Sequence, residues 1–211
     1  MALIENLSVK EVYNKIAKHF SASRQRIWGS VKHYLDSLEL GTNVLDMGCG
    51  NGKNMLYRKD LNICGIDISH ELVKICLDKN LNVKEGCITK LDFNSESFSN
   101  IICIAAYHHL DNDNDRKKCL NEVYRCLVKG GSCLLTVWSM EQDEKSTFHF
   151  SKRDELVPWI NQNDGNTYLR YYHIYRKGDL IEEIGRLCGK FNIVTCGWEL
   201  GNWYVILQKP S

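Results

Sequence analysis

The sequence predicts an α/β fold: a mostly parallel seven-stranded sheet with helices on both faces, closed by a C-terminal antiparallel hairpin. Three observations carry this. Short apolar runs of strand length recur from Asn43 onward, and the first few alternate with segments of helical spacing. That alternation marks buried parallel strands linked by helices. A glycine-rich turn, Gly48 to Gly52, follows the first of those runs. The chain ends in two strand-like runs split by Gly201-Asn202, a dipeptide suited to a tight hairpin.

Each element follows in order. Residues 8–20 and 25–38 read as amphipathic helices, with Val12, Ile16, Phe20 and then Val31, Tyr34, Leu35, Leu38 spaced at three and four. Ser8 N-caps the first, and Glu11 completes a capping box. The strands are "NVLDM", "NICGID", "NVKEG", "NIICIAA" and "SCLLTVW", with helical patterns at 54–58, 71–79 and 113–127 between the first few. "KGG", Lys129 to Gly131, reads as a helix C-cap feeding the next strand. Residues 139–170 are polar and irregular, too long for a plain connection, and so form a candidate functional loop. Helix resumes at 177–188 and stops at Gly189, before the strands "FNIVTCGWEL" and "NWYVILQK".

Composition narrows the class. At 211 residues, 44% hydrophobic and 25% charged, the chain is one globular domain. No apolar run approaches the roughly 20 residues of a membrane helix, and the N-terminus lacks a secretory h-region. An intracellular location is expected. The ten cysteines are scattered singly, with no C-x-x-C. No metal site is therefore expected, and the thiols read as small buried hydrophobes. The net charge of +1 gives no global attraction to nucleic acid. Residues 1–35 are nonetheless basic, with Lys10, Lys15, Lys18, Arg24, Arg26 and Lys32 against Glu5 and Glu11. From charge alone, a solvated helix face is the preferred reading.

In open sheets of this kind ligands sit at the carboxyl ends of the strands. Gly48, Gly50 and Gly52 let backbone N–H groups approach a ligand there, and a following helix N-terminus favours an anion. Asp67, ending the second strand, suits a ribose diol. The spacing is G-x-G-x-G, not the G-x-G-x-x-G of dinucleotide enzymes. Asp46, two residues before the first glycine, repels a pyrophosphate and accepts an ammonium. S-adenosylmethionine has an ammonium, a carboxylate, a sulfonium and a ribose, but no phosphate. The expected cofactor contacts are Asp46, Gly48, Gly50, Asn51, Gly52, Asp67, Ile68, Cys87 and Ala105. A parallel sheet closed by an antiparallel hairpin is also the outline of the class I methyltransferase sheet. The chain then divides into N-terminal helices (1–40), a cofactor-binding half (41–138), a substrate loop (139–176) and a C-terminal helix with hairpin (177–211).

The methyl acceptor is read from another quarter. "VYNKIAKHFSASRQRIW" (12–28), "LDMGCGNGK", "IAAYHHL", "VWSMEQ" (137–142), "VPW" (157–159), "RYYHIYRKGDLIEEI" (170–184) and "NWYVILQK" (202–209) run nearly end to end. In these stretches the chain resembles the eukaryotic tRNA wobble-uridine methyltransferases that esterify 5-carboxymethyluridine in the anticodon. The last two are the most specific, because general methyltransferases share the glycine loop but not these.

The resemblance implies methyl transfer to a carboxylate. Such a nucleophile is already ionised at neutral pH, so placement and water exclusion carry the rate. It also implies an anionic acceptor, which asks for Arg and His. The matching residues are Arg24, His108, His173 and Arg176 as the catalytic set, with Trp138, Asn202 and His109 as substrate contacts. His108 is favoured for the acceptor, while His109 equally fits a cap on the fourth strand. Tyr171, Tyr172 and Tyr175 read as core; His173 and Arg176, three apart, are expected on one face. Arg24 alone reads as a surface charge.

Two departures stand out. Cys87 occupies the position where that family usually has an acid near adenine. The loop after Trp159 lacks the long Lys-rich insertion that relatives can carry, leaving Lys145, Lys152, Arg153 and the N-terminal helices to grip RNA. The resemblance further implies two partners: the tRNA anticodon loop and a small zinc-binding methyltransferase activator subunit. The cysteine- and apolar-rich composition is compatible with a covered patch for the latter, expected near Phe93 and Phe98 at the sheet edge. The resemblance also implies a cytoplasmic location, with the nucleus as a second compartment. A small-molecule methyltransferase and a non-catalytic scaffold of the same fold are the alternatives.

Overall fold

The computed structural model describes residues 3–4, 7–144 and 146–211, with Leu3 and Ile4 by backbone only. Glu5 and Lys145 lie outside the described residues. After a short strand β1 (Leu3–Ile4), helix α1 (Val9–Ser23) begins at the Ser8–Glu11 capping box that the sequence predicts. Helix α2 (Gly29–Asp36) starts later than its periodicity suggests, after an extended Trp28. The strands β2 (Asn43–Met47), β3 (Asn62–Asp67), β4 (Val83–Glu85), β5 (Phe98–Ile104) and β6 (Leu127–Trp138) follow, with α3 (His70–Leu77) and α4 (Asp113–Cys126) between them. Next come β7 (Asp154–Ile160), β8 (Thr167–His173), α5 (Asp179–Cys188), β9 (Asn192–Glu199) and β10 (Asn202–Gln208).

Seven strands form one sheet in the order β4-β3-β2-β5-β6-β10-β9. The first five are mutually parallel, and β10 pairs antiparallel with both β6 and β9. Apolar side chains fill both faces: Leu45, Met47, Ile101, Leu120 and Leu135 pack on one side, Val44, Leu35, Ile102 and Leu134 on the other. All ten cysteines are free, and Cys196 alone is exposed. No helix among the described residues is long and apolar enough to cross a membrane.

Four local expectations are corrected. The supposed loop at 139–170 contains the antiparallel pair β7–β8, which β1 extends into a three-stranded sheet. Pro158 masked it, since proline argues against a strand; here β7 is an edge strand, where a missing N–H costs no ladder bond. The 54–58 stretch is a set of turns, not a helix, so no helix N-terminus follows the glycine loop. It is short, and its asparagines favour turns. Lys129 to Gly131 lies inside β6 rather than capping α4. Gly130 has φ +74°, and a Cβ on Gly131 would fall 2.7 Å from Ser99 O, so the glycines serve a bulged strand. The last hairpin turns at Leu200-Gly201, both at positive φ, and Asn202 is already paired in β10.

Phe93 and Phe98 form no open patch either. Phe98 is buried on the interior strand β5, with Phe93 edge-on to it at 5.0 Å and Lys84 over the Phe93 ring.

Helix α1 ties the two sheets together. Val12 and Ile16 pack with Trp159 and Tyr168 of the small sheet. On its other side Asn14 accepts from Ser69 (2.8 Å) and Lys10 pairs with Glu85. The small sheet and α1 thus stand over the carboxyl ends of the parallel strands.

Candidate active site

A cavity of about 1000 Å³ opens there. Its floor is the glycine loop. Gly48 and Cys49 both donate their N–H to Ile66 O (2.8 and 2.9 Å), folding the chain back sharply after β2. Gly48 has φ +75°, and a Cβ would sit 2.4 Å from that of Ala106. Only glycine fits. Gly50 donates to Asp67 Oδ2 and Ser69 to Asp67 Oδ1, both at 2.9 Å. Asp67 is therefore fixed at the cavity wall with lone pairs to spare. Burial raises its pKa, and these N–H groups offset part of that.

Asp46 lies behind the loop, fully buried, and neither carboxylate oxygen has a hydrogen-bond partner. Burial, then the nearby Asp67, pushes its pKa up to about 7. Lys53 is close enough to favour the ionised form in part, and a further cation would favour it more. Ile68, Cys87 and Ala105 line the next stretch of wall. Ala105 holds φ +54°, a left-handed conformation uncommon for a non-glycine residue, where β5 meets the cavity. Asn51 is braced rather than open: its amide donates to Ser21 O (3.2 Å) and Arg24 O (3.1 Å), fastening the loop to the end of α1. These residues fit S-adenosylmethionine: backbone donors and a buried acid near the loop, a poised carboxylate for a diol, and apolar wall for a base.

The facing wall comes from α1 and β8. Arg24 and Arg170 both stand over the Trp159 ring, their guanidinium carbons 5.0 and 4.8 Å from its centroid. Arg170 is 2% exposed; its Nη1 donates to the Tyr172 hydroxyl at 2.7 Å, and its Nε has no partner. Among the described residues no carboxylate pairs with either arginine. Burial, then Arg170, lowers the Arg24 pKa. Trp138 stacks on Tyr172 at 4.3 Å and 26°, with Phe148 beside it.

The histidines separate. His109 lines the cavity; His108 does not. His108 is fully buried and its Nδ1 accepts from Trp138 N (3.1 Å), which leaves the proton on Nε2. The preference for His108 over His109 is thus reversed. Both histidines sit in a single 3-10 turn, Tyr107–His109, after β5, where adjacent side chains point in different directions and no strand alternation in the sequence marks which one faces the cavity. His109 Nδ1 donates to Tyr171 O (2.7 Å), and its Nε2 faces the Tyr13 hydroxyl at 2.9 Å. Burial lowers its pKa to about 3, so it is neutral.

His173 and Arg176 lie outside this cavity and do not share a face. His173, at the end of β8, bonds Asp154 (2.8 Å) beside a second, small cavity; Arg176 is exposed in the turn before α5. The turn breaks the spacing of three that would have aligned them. Asn202 and Trp138 do line the cavity, with the Asn202 amide donating to Glu199 O and Leu200 O. Tyr13, Lys53, Arg170 and Tyr172 also line the cavity, beyond the residues the sequence points to. Strand period two in "TYLRYYH" puts Tyr168, Arg170 and Tyr172 on one face, a signal lost when the segment is taken for a loop.

The sheet order and this cradle define a class I S-adenosylmethionine-dependent methyltransferase. The profile described as "Methyltransferase domain" matches residues 45–135. A Clostridium acetobutylicum S-adenosylmethionine-dependent methyltransferase superposes with TM-score 0.69 at 16% identity, covering 94% of this chain and 99% of that one. A Haloferax volcanii methyltransferase, solved in complex with the Trm112 methyltransferase activator, gives 0.71 at 18%, covering 97% and 98%. Among sequences, the Schizosaccharomyces pombe tRNA (carboxymethyluridine(34)-5-O)-methyltransferase is 36% identical over 97% of each chain. The Arabidopsis thaliana protein of the same name is 42% identical over 68% of this chain and 35% of its own length. The chain belongs to the tRNA (carboxymethyluridine(34)-5-O)-methyltransferase family.

Proposed function

We propose that this chain methylates the carboxylate of 5-carboxymethyluridine at the tRNA wobble position, giving the methyl ester. The observation that carries this reading is the pair Arg24 and Arg170: two guanidiniums beside the cofactor cradle with no carboxylate partner among the described residues. A buried cation so placed calls for an anionic ligand. A neutral small-molecule acceptor would leave both uncompensated.

S-adenosylmethionine supplies a methyl group made electrophilic by its sulfonium. Gly48 to Gly50, Asp67, Ile68, Cys87 and Ala105 would hold it, and Asp46 would favour its ammonium end through the field behind the loop. Arg24 and Arg170 bind the acceptor carboxylate by charge-assisted hydrogen bonds and fix its orientation in the cavity. No general base is needed, which agrees with a His109 whose pKa burial pushes down to about 3, too weakly basic to serve as one. The stacked Trp138 and Tyr172 give the splayed base an aromatic face. Roofing by α1 excludes water, which strengthens the arginine contacts.

The tRNA backbone meets the basic N-terminal segment, where Lys32 stands over the Tyr57 ring. We assign a small zinc-binding activator as partner, supported by the Haloferax neighbour of the same fold. Cytoplasm and nucleus, where tRNA is processed, are the proposed locations, checked with a fluorescent fusion. The central test incubates the chain, with and without activator, with S-adenosylmethionine and tRNA from cells unable to make the ester. Nucleosides are then analysed by mass spectrometry. The wobble ester is expected; its absence under both conditions overturns the reading.

A further inference from the structure

The acceptor wall contains one hydroxyl that the transfer itself does not use. Tyr13, on the cavity-facing side of α1, reaches across to His109 Nε2 at 2.9 Å. The direction of that bond is fixed by chemistry. His109 Nδ1 faces the Tyr171 carbonyl at 2.7 Å, and a carbonyl only accepts, so Nδ1 carries the proton. Nε2 is then a bare lone pair, and Tyr13 must donate to it. With its proton committed, the Tyr13 oxygen presents only lone pairs to its other neighbours. Those neighbours are Arg170 and Tyr172. Burial disfavours the Arg170 charge, and the oxygens of Tyr172 and Tyr13 facing it restore that charge. Arg170 Nη1 meanwhile donates to Tyr172.

We infer that Tyr13 is a positioning residue: its His109-bound hydroxyl turns the Arg170 guanidinium so that its free N–H groups face the methyl acceptor. Hydrogen bonds run from the Tyr171 carbonyl through His109 to Tyr13, and the Tyr13 oxygen in turn acts on the Arg170 charge. This path crosses from the small sheet through the turn after β5 to α1 and back, so the roof helix must be seated before Arg170 is aimed. This also gives His109 a role without proton transfer. It is a neutral relay of orientation, set by its tautomer.

The inference rests on the function proposed above, and the two fail differently. If wild-type protein, with activator present, forms no ester on tRNA bearing 5-carboxymethyluridine, the function fails. If wild type is active, Tyr13→Phe tests the positioning role. It removes one oxygen and keeps the ring that packs edge-on to Phe20 at 5.4 Å. The expected result is a fall in kcat of roughly 10–100-fold, the scale of a small misplacement at a reacting group. The S-adenosylmethionine Kd, by calorimetry, is expected within about twofold of wild type, since the cradle is untouched. A wild-type kcat overturns the inference, and so does a parallel loss of cofactor binding. A second pair of variants guards against simple misfolding. His109→Gln keeps an acceptor where Nε2 lies and is expected to retain several-fold more turnover than His109→Leu. Equal turnover in the two overturns the role of the Tyr13–His109 bond.

Discussion

The two walls of the cavity carry charge of opposite sign, and only on the cradle side does a nearby Lys53 offset part of it. On the cradle side Asp46 and Asp67 are buried carboxylates, neither in an ion pair among the described residues. On the facing side Arg170 is a buried guanidinium and Arg24 a half-buried one, and neither has a carboxylate. Stability alone would bring such charges together or remove them, because an isolated buried charge is costly. Keeping them apart across about 1000 Å³ makes each wall select its own ligand end. The acids favour a cationic methyl donor, and the arginines favour an anionic acceptor. On the function proposed above, charge placement sets which way round the two reactants sit.

The sharpest way to break this comparison is Arg170→Met, which keeps bulk and removes charge. We expect kcat/KM to fall roughly 10³-fold, the scale of removing a main electrostatic contact to the reacting group. The melting temperature is expected to hold or rise, because an uncompensated buried charge is gone. Single-turnover kinetics and a thermal melt read both. On the opposite wall, Asp67→Ala is expected to weaken S-adenosylmethionine roughly 10–100-fold, as for lost hydrogen bonds to a charged group. Turnover should recover at saturating cofactor, which a titration of initial rates against cofactor concentration checks.

The walls also differ in how legible they were. The cradle was readable because its chemistry is local in sequence: a strand, an acid, spaced glycines and a second acid at the next strand end. Even so, the order of side chains in depth was not, and Asp46 proved to lie behind the loop rather than on the cavity surface. The acceptor wall joins Tyr13 and Arg24 to residues more than 140 positions away, through packing of α1 on β8. No periodicity in one segment encodes such a meeting. What was locally encoded, the alternation of Tyr168, Arg170 and Tyr172, was hidden by Pro158 in the partner strand. Arg24 was legible only through the family resemblance, since a lone arginine between helices has no pattern of its own.

Titration separates the walls next. Asp46 ionises near pH 4 in the unfolded chain and at about 7 in the unliganded fold. Between those values the folded protein holds a proton the unfolded chain has lost, so this group's contribution to stability falls as pH rises from about 4 to about 7. A bound ammonium near the loop favours the ionised form and expels that proton. Cofactor affinity should therefore rise with pH, by up to about tenfold per unit below 7, and level off above it. Asp46→Asn is expected to flatten this profile, weaken the cofactor at pH 8 and raise the melting temperature of the unliganded protein there. Calorimetry over roughly three pH units centred near 7 reads the slope. A slope that survives the substitution would assign it to Asp67 instead.

The smallest effect is expected at Arg176, and it bounds the acceptor wall from outside. Its side chain is exposed, its backbone N–H donates to Asp179 Oδ2 at 2.9 Å, and it does not line the cavity. If the acceptor carboxylate is held by Arg24 and Arg170, Arg176 is at most a contact to RNA backbone. Arg176→Ala should then leave kcat and cofactor affinity unchanged. It should raise the KM for tRNA no more than about threefold, and the slope of log affinity against log salt should fall by about 1, as for one phosphate contact. His173→Ala is the matched control on the other side of the same turn. It loses a bond to Asp154 and should lower stability by about 1 kcal/mol without changing kcat. A collapse of kcat in Arg176→Ala, with cofactor binding intact, would move the acceptor carboxylate out toward the 176 turn. The opposed charges of the two walls would then no longer explain how the reactants are oriented.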